Sequence, residues 1–375
     1  MRVLLAPDKF KGSLTAAQVA AAVGDGIRSV LPDVVLDAVP VADGGDGTVA
    51  AAVAAGYDEV PVTAAGPTGM PLSTHYGRLA GRAVCELADV SGLVRLPDGL
   101  APMTATSRGT GEVVAAAIAA GCTEIVLGIG GSACTDGGAG LVRALGARLF
   151  DASGHEIGEG GGALASVASV DLAGLRLDGV RFTVACDVDN PLTGPSGAAA
   201  VYGPQKGASP EQVGELDAAL ERWAAVVAAA TGADHRDAPG AGAAGGVGFA
   251  AIALLGAELR PGIDLVLELT GFHDRLAHAD LVVTGEGALD TQTLHGKAPA
   301  GVADAARAAG VPVVAVCGRN TLPPALLRDA GITAAYALLD LEPDLGRCLT
   351  HGADLLRVLG AQIATEHLDH ATSVP

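Results

Sequence analysis

The sequence predicts an α/β protein of two domains, one a doubly wound parallel sheet that the other, itself α/β, interrupts. Three observations lead there. Apolar strand-like runs alternate with amphipathic helical stretches at both ends of the chain, whereas Gly-Pro turns such as Gly66-Pro67 divide the middle into short runs. Glycine-rich loops bearing acids follow several of the apolar runs. The length of 375 residues, 50% hydrophobic and 17% charged, supplies core enough for two domains.

Residues 3–6 read as a buried strand, followed by the loop Asp8-Lys9-Phe10-Lys11-Gly12-Ser13. Thr15 and Gln18 then form a capping box before a helix whose Val19, Val23, Ile27 and Val30 share a face. A second strand over 34–41 ends in Ala42-Asp43-Gly44-Gly45-Asp46-Gly47-Thr48, and 49–55 is again helical in composition. Beyond Gly56 the strands shorten, to 60–62, 74–78 and 83–87, before a helix over 112–120 and strands over 124–129 and 181–187. Ser209-Pro210 opens a long helix, a hydroxyl cap with proline in the first turn, that carries Val213, Leu216, Leu220 and Trp223 inward. The glycine-rich stretch 239–248 closes it.

Near Asp280 the alternation resumes, with strands over 280–284, 311–317 and 334–338 and a helix over 299–309. Joining residues 1–60 with 278–375 gives five strands and one discontinuous domain, into which 61–277 is inserted. The closing residues 367–375 are expected to fray.

The formal charge of -19, with no basic cluster to offset it, opposes contact with nucleic acid or anionic membranes. Lysines beside glycine loops, Lys9, Lys11, Lys206 and Lys297, therefore stand out as local cations for small anions. Six scattered cysteines without a C-x-x-C pair fit a reduced, cytoplasmic protein, and no run approaches a signal peptide or membrane span. His75, His235, His273, His278 and His295 lack zinc-ligand spacing, and only His295, beside Gly296-Lys297, adjoins a candidate loop.

The run from Glu124 to Gly140 is the most telling: an apolar strand empties into Gly128-Ile-Gly130-Gly131-Ser132-Ala133-Cys134-Thr135-Asp136, then a helix. Glycine admits the backbone that turns successive N–H groups into a concavity, and a helix N-terminus adds positive potential, so phosphate or carboxylate is a natural guest. A plain strand-to-helix corner uses the same residues. So does a dinucleotide turn, Gly128-x-Gly130-x-x-Ala133 with Asp151 downstream.

Asp8, Lys9, Lys11, Asp43, Asp46, Glu286, Asp290 and Lys297 fall just beyond the carboxyl ends of predicted strands, where doubly wound sheets bind ligands. The pairs Asp43/Asp46 and Glu286/Asp290 suit either a hydrated Mg2+ shared with substrate phosphates or the capping of helices. Asp187-Val188-Asp189-Asn190 and Gly203-Pro204-Gln205-Lys206-Gly207 bring acid, amide and lysine, a set that serves phosphoryl transfer, although Asn190-Pro191 alone is equally a turn. Lys297 belongs to no Walker A motif, because alanine follows it.

Taken in order, the Asp8–Ser13 loop, Ala42–Thr48, Gly128–Ala133, Asp136-Gly137-Gly138, Asp187 with Asn190-Pro191-Leu192, Gly203–Gly207, the 239–246 glycine run and Gly285-Glu286-Gly287 closely resemble the type-1 glycerate kinase family over nearly the whole chain. Cys134-Thr135 departs from the expected Thr-Asn, and Asp46 stands where Glu is common. The resemblance implies phosphorylation of D-glycerate with ATP and Mg2+, 2-phosphoglycerate being favoured over 3-phosphoglycerate. It also implies a flavodoxin-like domain interrupted by one similar in fold to restriction endonucleases.

On this reading the catalytic set is Asp187, Lys9, Lys206 and Asp136, with Asp187 orienting or deprotonating the acceptor hydroxyl. Substrate and nucleotide fall to Asp8, Lys11, Ser13, Asp43, Ser107, Arg108, Gly130, Gly131, Ser132, Asn190, Glu286, Asp290 and Lys297, and Mg2+ to Asp187 and Asp189. The partners are D-glycerate and ATP, and the reading leaves room for a homodimer. Two other classes remain open on the sequence: an NAD-dependent dehydrogenase of a small hydroxy acid, and a non-catalytic organic-acid-binding module.

Overall fold

A computed structural model describes residues 1–175, 177–294 and 296–368. Arg176, His295 and 369–375, which include most of the tail expected to fray, lie outside the described residues. The chain forms two compact units, 1–43 with 50–55 and 263–375, and 44–49 with 56–262.

The chain enters the first unit with strands β1 (Arg2–Pro7) and β2 (Val35–Ala38). The second unit holds β3 (Asp58–Ala65), β4 (Pro71–Leu79), β5 (Arg82–Glu86), β6 (Glu124–Gly128), β7 (Arg148–Asp151), β8 (Val167–Asp171), β9 (Arg181–Ala185) and β10 (Glu258–Arg260). The first resumes with β11 (Leu281–Leu289), β12 (Val313–Asn320) and β13 (Ala334–Ala337).

In the first unit the strand order is β13-β12-β11-β1-β2, and every pairing is parallel. From Val3 onward β1 is apolar because both its faces are covered. Val3 and Leu5 pack with Val19, Val23 and Ile27 of helix Ala16–Val30 and with Leu356, Leu359 and Ile363 of helix Gly352–His367. Leu4 and Ala6 pack on the other face with Val302, Ala303 and Ala306 of helix Ala298–Ala309. The Thr15 capping box is present as the spacing requires. Ile263, Val266, Leu267, Phe272 and Leu276 are buried with Leu4 and Val282, so residues 263–277 pack with the first unit ahead of the strand that reopens it. Strand order reverses between β1 and β11, in register from Val3 opposite Leu281 to Pro7 opposite Gly285. Asp8 leaves the sheet beside Glu286 at a topological switch point, but Glu286, expected just beyond a strand end, lies inside β11, which continues to Leu289 paired with β12.

The second unit is built on a mixed sheet of order β10-β9-β6-β5-β4-β3, antiparallel from β3 to β5 and parallel from β5 to β10. Trp223 of helix Pro210–Thr231 is fully buried, and its indole N–H donates to Gly137 O at 3.0 Å, so the predicted inward face also supports the glycine loop. Two local expectations change. The helix foreseen over 112–120 begins at Arg108, and the stretch expected to be loop becomes helical from Ala243 to Leu255, with left-handed backbone at 244–246. An all-apolar helix carries no amphipathic signal, and its three left-handed residues hid its start.

Among the described residues no helix is long and apolar enough to cross a membrane. All six cysteines are free.

Candidate functional site

In the second unit, β6 and β9 end side by side, Gly128 opposite Ala185, and release the two loops singled out above. The loop after β6 is held by the segment 91–93. Leu93 N donates to Gly131 O at 3.0 Å and Ala133 N to Ser91 O at 2.9 Å. Helix Ala139–Ala144 follows only after Gly137 and Gly138, both left-handed. A side chain at Gly138 would stand 2.4 Å from Ala250 Cβ, so the corner requires glycine on two counts. The delay separates the helix N-terminus from Gly130, which removes the geometry of a dinucleotide turn.

Asp136 organises this corner. It is 0% exposed, and its carboxylate accepts from Ser107 N at 2.8 Å, Ser107 Oγ at 2.9 Å, Gly138 N at 3.1 Å and Gly140 N at 3.2 Å. Ser107 Oγ in turn accepts from Leu141 N at 2.9 Å. One buried acid thus serves the first turns of helices Arg108–Ala119 and Ala139–Ala144 together. Burial pushes its carboxyl up, against the opposing pull of these donors. Asp136 and Ser107, both expected at the chemistry, are buried supports of the loop. Arg108 is a half-exposed cation spent on Glu112 at 2.9 Å and Glu159 at 3.2 Å.

Lys206 is only 2% exposed. Its Nζ donates to Ser132 Oγ at 2.9 Å and to Cys134 O at 2.5 Å. Burial lowers its pKa, while the Cys134 thiol and Asp136 favour the charged form. The ammonium therefore lies beneath the loop whose outer residues, Gly130 and Gly131, are solvent-accessible. That places a positive charge against Ser132, the residue that follows the two glycines.

After β9, Asp187 and Asp189 are exposed, and Asp187 Oδ1 accepts from Gly262 N at 2.8 Å. Asn190 is tied into its own segment, donating to Ser196 O at 2.8 Å and accepting from Tyr202 Oη at 2.6 Å, so its amide shapes the loop. Among the described residues no group of three or more His, Cys, Asp or Glu is arranged to hold a metal ion. Exposed carboxylates of this kind suit Mg2+, which keeps waters and is completed by substrate phosphates.

One residue of this unit escaped the sequence reading. Glu86, the last residue of β5, is buried and accepts from Gly47 N at 3.0 and 3.1 Å and from Val49 N at 3.1 Å. Burial, with repulsion from Asp89 and Asp46, pushes its carboxyl up to about 8 against those donors. No spacing motif marks it; the one clue is an acid closing the apolar strand Arg82–Glu86.

In the first unit the switch point gathers acids and lysines. Lys9 Nζ lies 3.8 Å from Asp8 Oδ1, and Lys297 Nζ lies 3.8 Å from Glu286 Oε2. Lys9 N also donates to Asp8 Oδ1 at 2.6 Å, and Thr293 Oγ1 to Glu286 Oε1 at 2.6 Å. Burial raises the Asp8 pKa to about 7; Lys9 opposes the rise, and Asp43 and Glu286 add to it. Glu286 is raised as well, chiefly by burial. Asp290 accepts from Gln292 N at 2.8 Å in a local turn, Lys11 is exposed, and Ser13 lies in the turn closed by Phe10 and Leu14. His295 lies outside the described residues.

Comparison with known proteins gives the family. A family model described as the glycerate kinase family matches residues 3–368. The glycerate kinase of Bacillus subtilis is 45% identical over 370 residues, covering 97% of each chain. The glycerate 2-kinase of Escherichia coli is 45% identical over 346 residues, covering 90% of this chain and 91% of its own. The crystal structure of a protein assigned as glycerate kinase 2 from Salmonella typhimurium LT2 superposes with a TM-score of 0.87 at 43% identity, over 100% of both chains. Such agreement in sequence and fold over the full length leaves no place for the dehydrogenase: the chain belongs to the glycerate kinase family and is a kinase.

Proposed function

We propose that this protein transfers the terminal phosphoryl group of ATP to a hydroxyl of D-glycerate, with Mg2+, giving 2-phosphoglycerate in preference to the 3-isomer. The observation that carries the reading is the family match over 3–368, joined by the named activity of the E. coli relative, a glycerate 2-kinase. Phosphoryl transfer asks a protein for positioning and charge neutralisation more than for covalent chemistry. Both units offer that kind of equipment.

In this reading the glycine N–H groups at 130–131, with Ser132 and the Lys206 ammonium behind them, take an anion. Asp187 orients the acceptor hydroxyl and receives its proton, and Asp187 with Asp189 would hold Mg2+, which when bound neutralises phosphate charge. Lys9, Lys11 and Lys297, interleaved with Asp8, Asp43, Glu286 and Asp290, suit phosphate groups with their metal. The all-parallel order of the first unit supports the flavodoxin-like assignment, and the mixed sheet of the second is compatible with the restriction-endonuclease-like one. Six free cysteines suit a reducing cytoplasm.

The test is ADP release coupled to NADH oxidation, with D-glycerate and Mg2+, and phosphorus NMR of the product. Mg2+-dependent turnover with a 2-phosphoglycerate resonance is expected. Failure to release ADP with D-glycerate would overturn this substrate reading.

A further inference from the structure

We infer that Glu86 is a positioning residue that locks the loop 44–49 onto the loop 128–131. The inference rests on the reading above that these loops meet substrate or nucleotide.

Glu86 stands in register with Gly128 across the β5–β6 pair, and Leu87 N donates to Gly128 O at 2.9 Å. The strand end that carries the carboxylate is therefore fixed to the root of the second loop. Its oxygens accept from Gly47 N at 3.0 and 3.1 Å and from Val49 N at 3.1 Å. These N–H groups belong to the start of helix Thr48–Ala54, and Gly47 before it has no side chain with which to cap. The two loops meet backbone to backbone. A Cβ on Gly128 would stand 2.6 Å from Gly44 O, and one on Gly130 would stand 2.8 Å from Gly45 Cα.

With backbone this close, and only the Thr48 hydroxyl beside it, a displacement of the 44–49 loop is felt directly at Gly130. Glu86, 4% exposed, takes the N–H groups of Gly47 and Val49 from that loop. Misplacement of binding groups by about 1 Å costs on the order of 100-fold in rate. A loop with two of its N–H groups on the Glu86 carboxyl is accordingly sensitive to that residue without Glu86 touching any ligand.

Glu86→Gln tests this. The amide has the same volume, but one acceptor becomes an NH2 facing a backbone donor. We expect kcat/KM to fall at least tenfold, mostly through KM, in a protein whose circular dichroism is unchanged. Amide hydrogen exchange at Gly47 and Val49 should accelerate at least tenfold, a readout that needs no activity. Exchange at those amides equal to wild type, or kcat/KM within twofold of it, overturns the inference. Should the wild-type protein release no ADP with glycerate, the functional reading falls, and exchange alone decides the Glu86 link. If Glu86→Gln does not fold, wild-type protection decides it: Gly47 and Val49 amides that exchange at solvent rates overturn the inference, and protected ones that loosen in Glu86→Asp support it.

Discussion

Lys206 and Ser132, far apart in sequence, are joined by a 2.9 Å hydrogen bond in which the buried ammonium donates to the serine hydroxyl. The hydroxyl thus accepts from within and keeps its own hydrogen for another partner. If the pair meets an anion as proposed, lysine and serine act as one relay, and their substitutions should be coupled. Lys206→Met should lower kcat/KM about 100-fold, or about 3 kcal/mol of transition-state stabilisation, and Ser132→Ala about 10-fold. The double variant should resemble Lys206→Met alone, because the serine contribution depends on the lysine. Steady-state kinetics of the three variants give the cycle, and multiplicative effects would break the link.

Asp136 and Asp187 are both acids after strands, and the structure predicts opposite behaviour for them. Asp136 is sealed among four donors from Ser107, Gly138 and Gly140. Asp136→Asn turns an acceptor into a donor inside that shell and should cost about 3 kcal/mol of stability, read from urea unfolding. Asp187 is exposed, so Asp187→Asn should change stability by no more than about 0.5 kcal/mol while lowering kcat about 1,000-fold. Near-normal turnover in Asp187→Asn would remove it from the reaction.

This contrast marks how far the sequence was legible. Strand-helix alternation and the Thr15 and Ser209 caps are local signals, and each is found where its spacing placed it. The placing of Asp8 at a strand end was legible too, whereas Glu286 lies inside β11 beside it at the switch point, because that strand runs on to Leu289. What a given acid faces is set by tertiary packing. Asp136 and Asp187 look alike in sequence, but only one lies under the start of a distant helix. Glu86 was invisible for the same reason, because its donors come from the 47–49 segment, 37 to 39 residues away. The 263–277 segment was drawn into the insert because its helices precede the strand that reopens the first sheet, whereas its apolar residues pack with the first core.

Thr135 offers a test of packing alone. Its hydroxyl is buried and has no hydrogen-bond partner among the described residues, in the position where the family resemblance leads one to expect asparagine. A buried hydroxyl left unpaired costs about 1–3 kcal/mol, and valine has nearly the same shape. Thr135→Val should therefore raise stability by about 1 kcal/mol, seen as a shift of the urea midpoint at constant m-value. Destabilisation would show that the hydroxyl has an internal partner such as a buried water.

Asp8 gives the fold a pH dependence whose sign follows from its surroundings. Burial lifts its carboxyl from 3.8 to about 7; Lys9 pulls it down, and Asp43 and Glu286 push it up. Lys297 and Asp290 face the neighbouring Glu286 with opposite effects. Because the folded-state pKa is raised, the folded protein holds a proton on Asp8 that the unfolded chain has released between about pH 4 and pH 7. The contribution of Asp8 to stability is full below pH 4 and is lost as pH rises through 7, with a ceiling of about 4 kcal/mol. Asp8→Asn mimics the protonated form at every pH. It should be nearly neutral at pH 4, and at pH 8 it should be more stable than wild type by about 1–3 kcal/mol. Urea unfolding of both proteins at the two pH values measures the difference, and an equal effect at both would place the Asp8 titration outside this window.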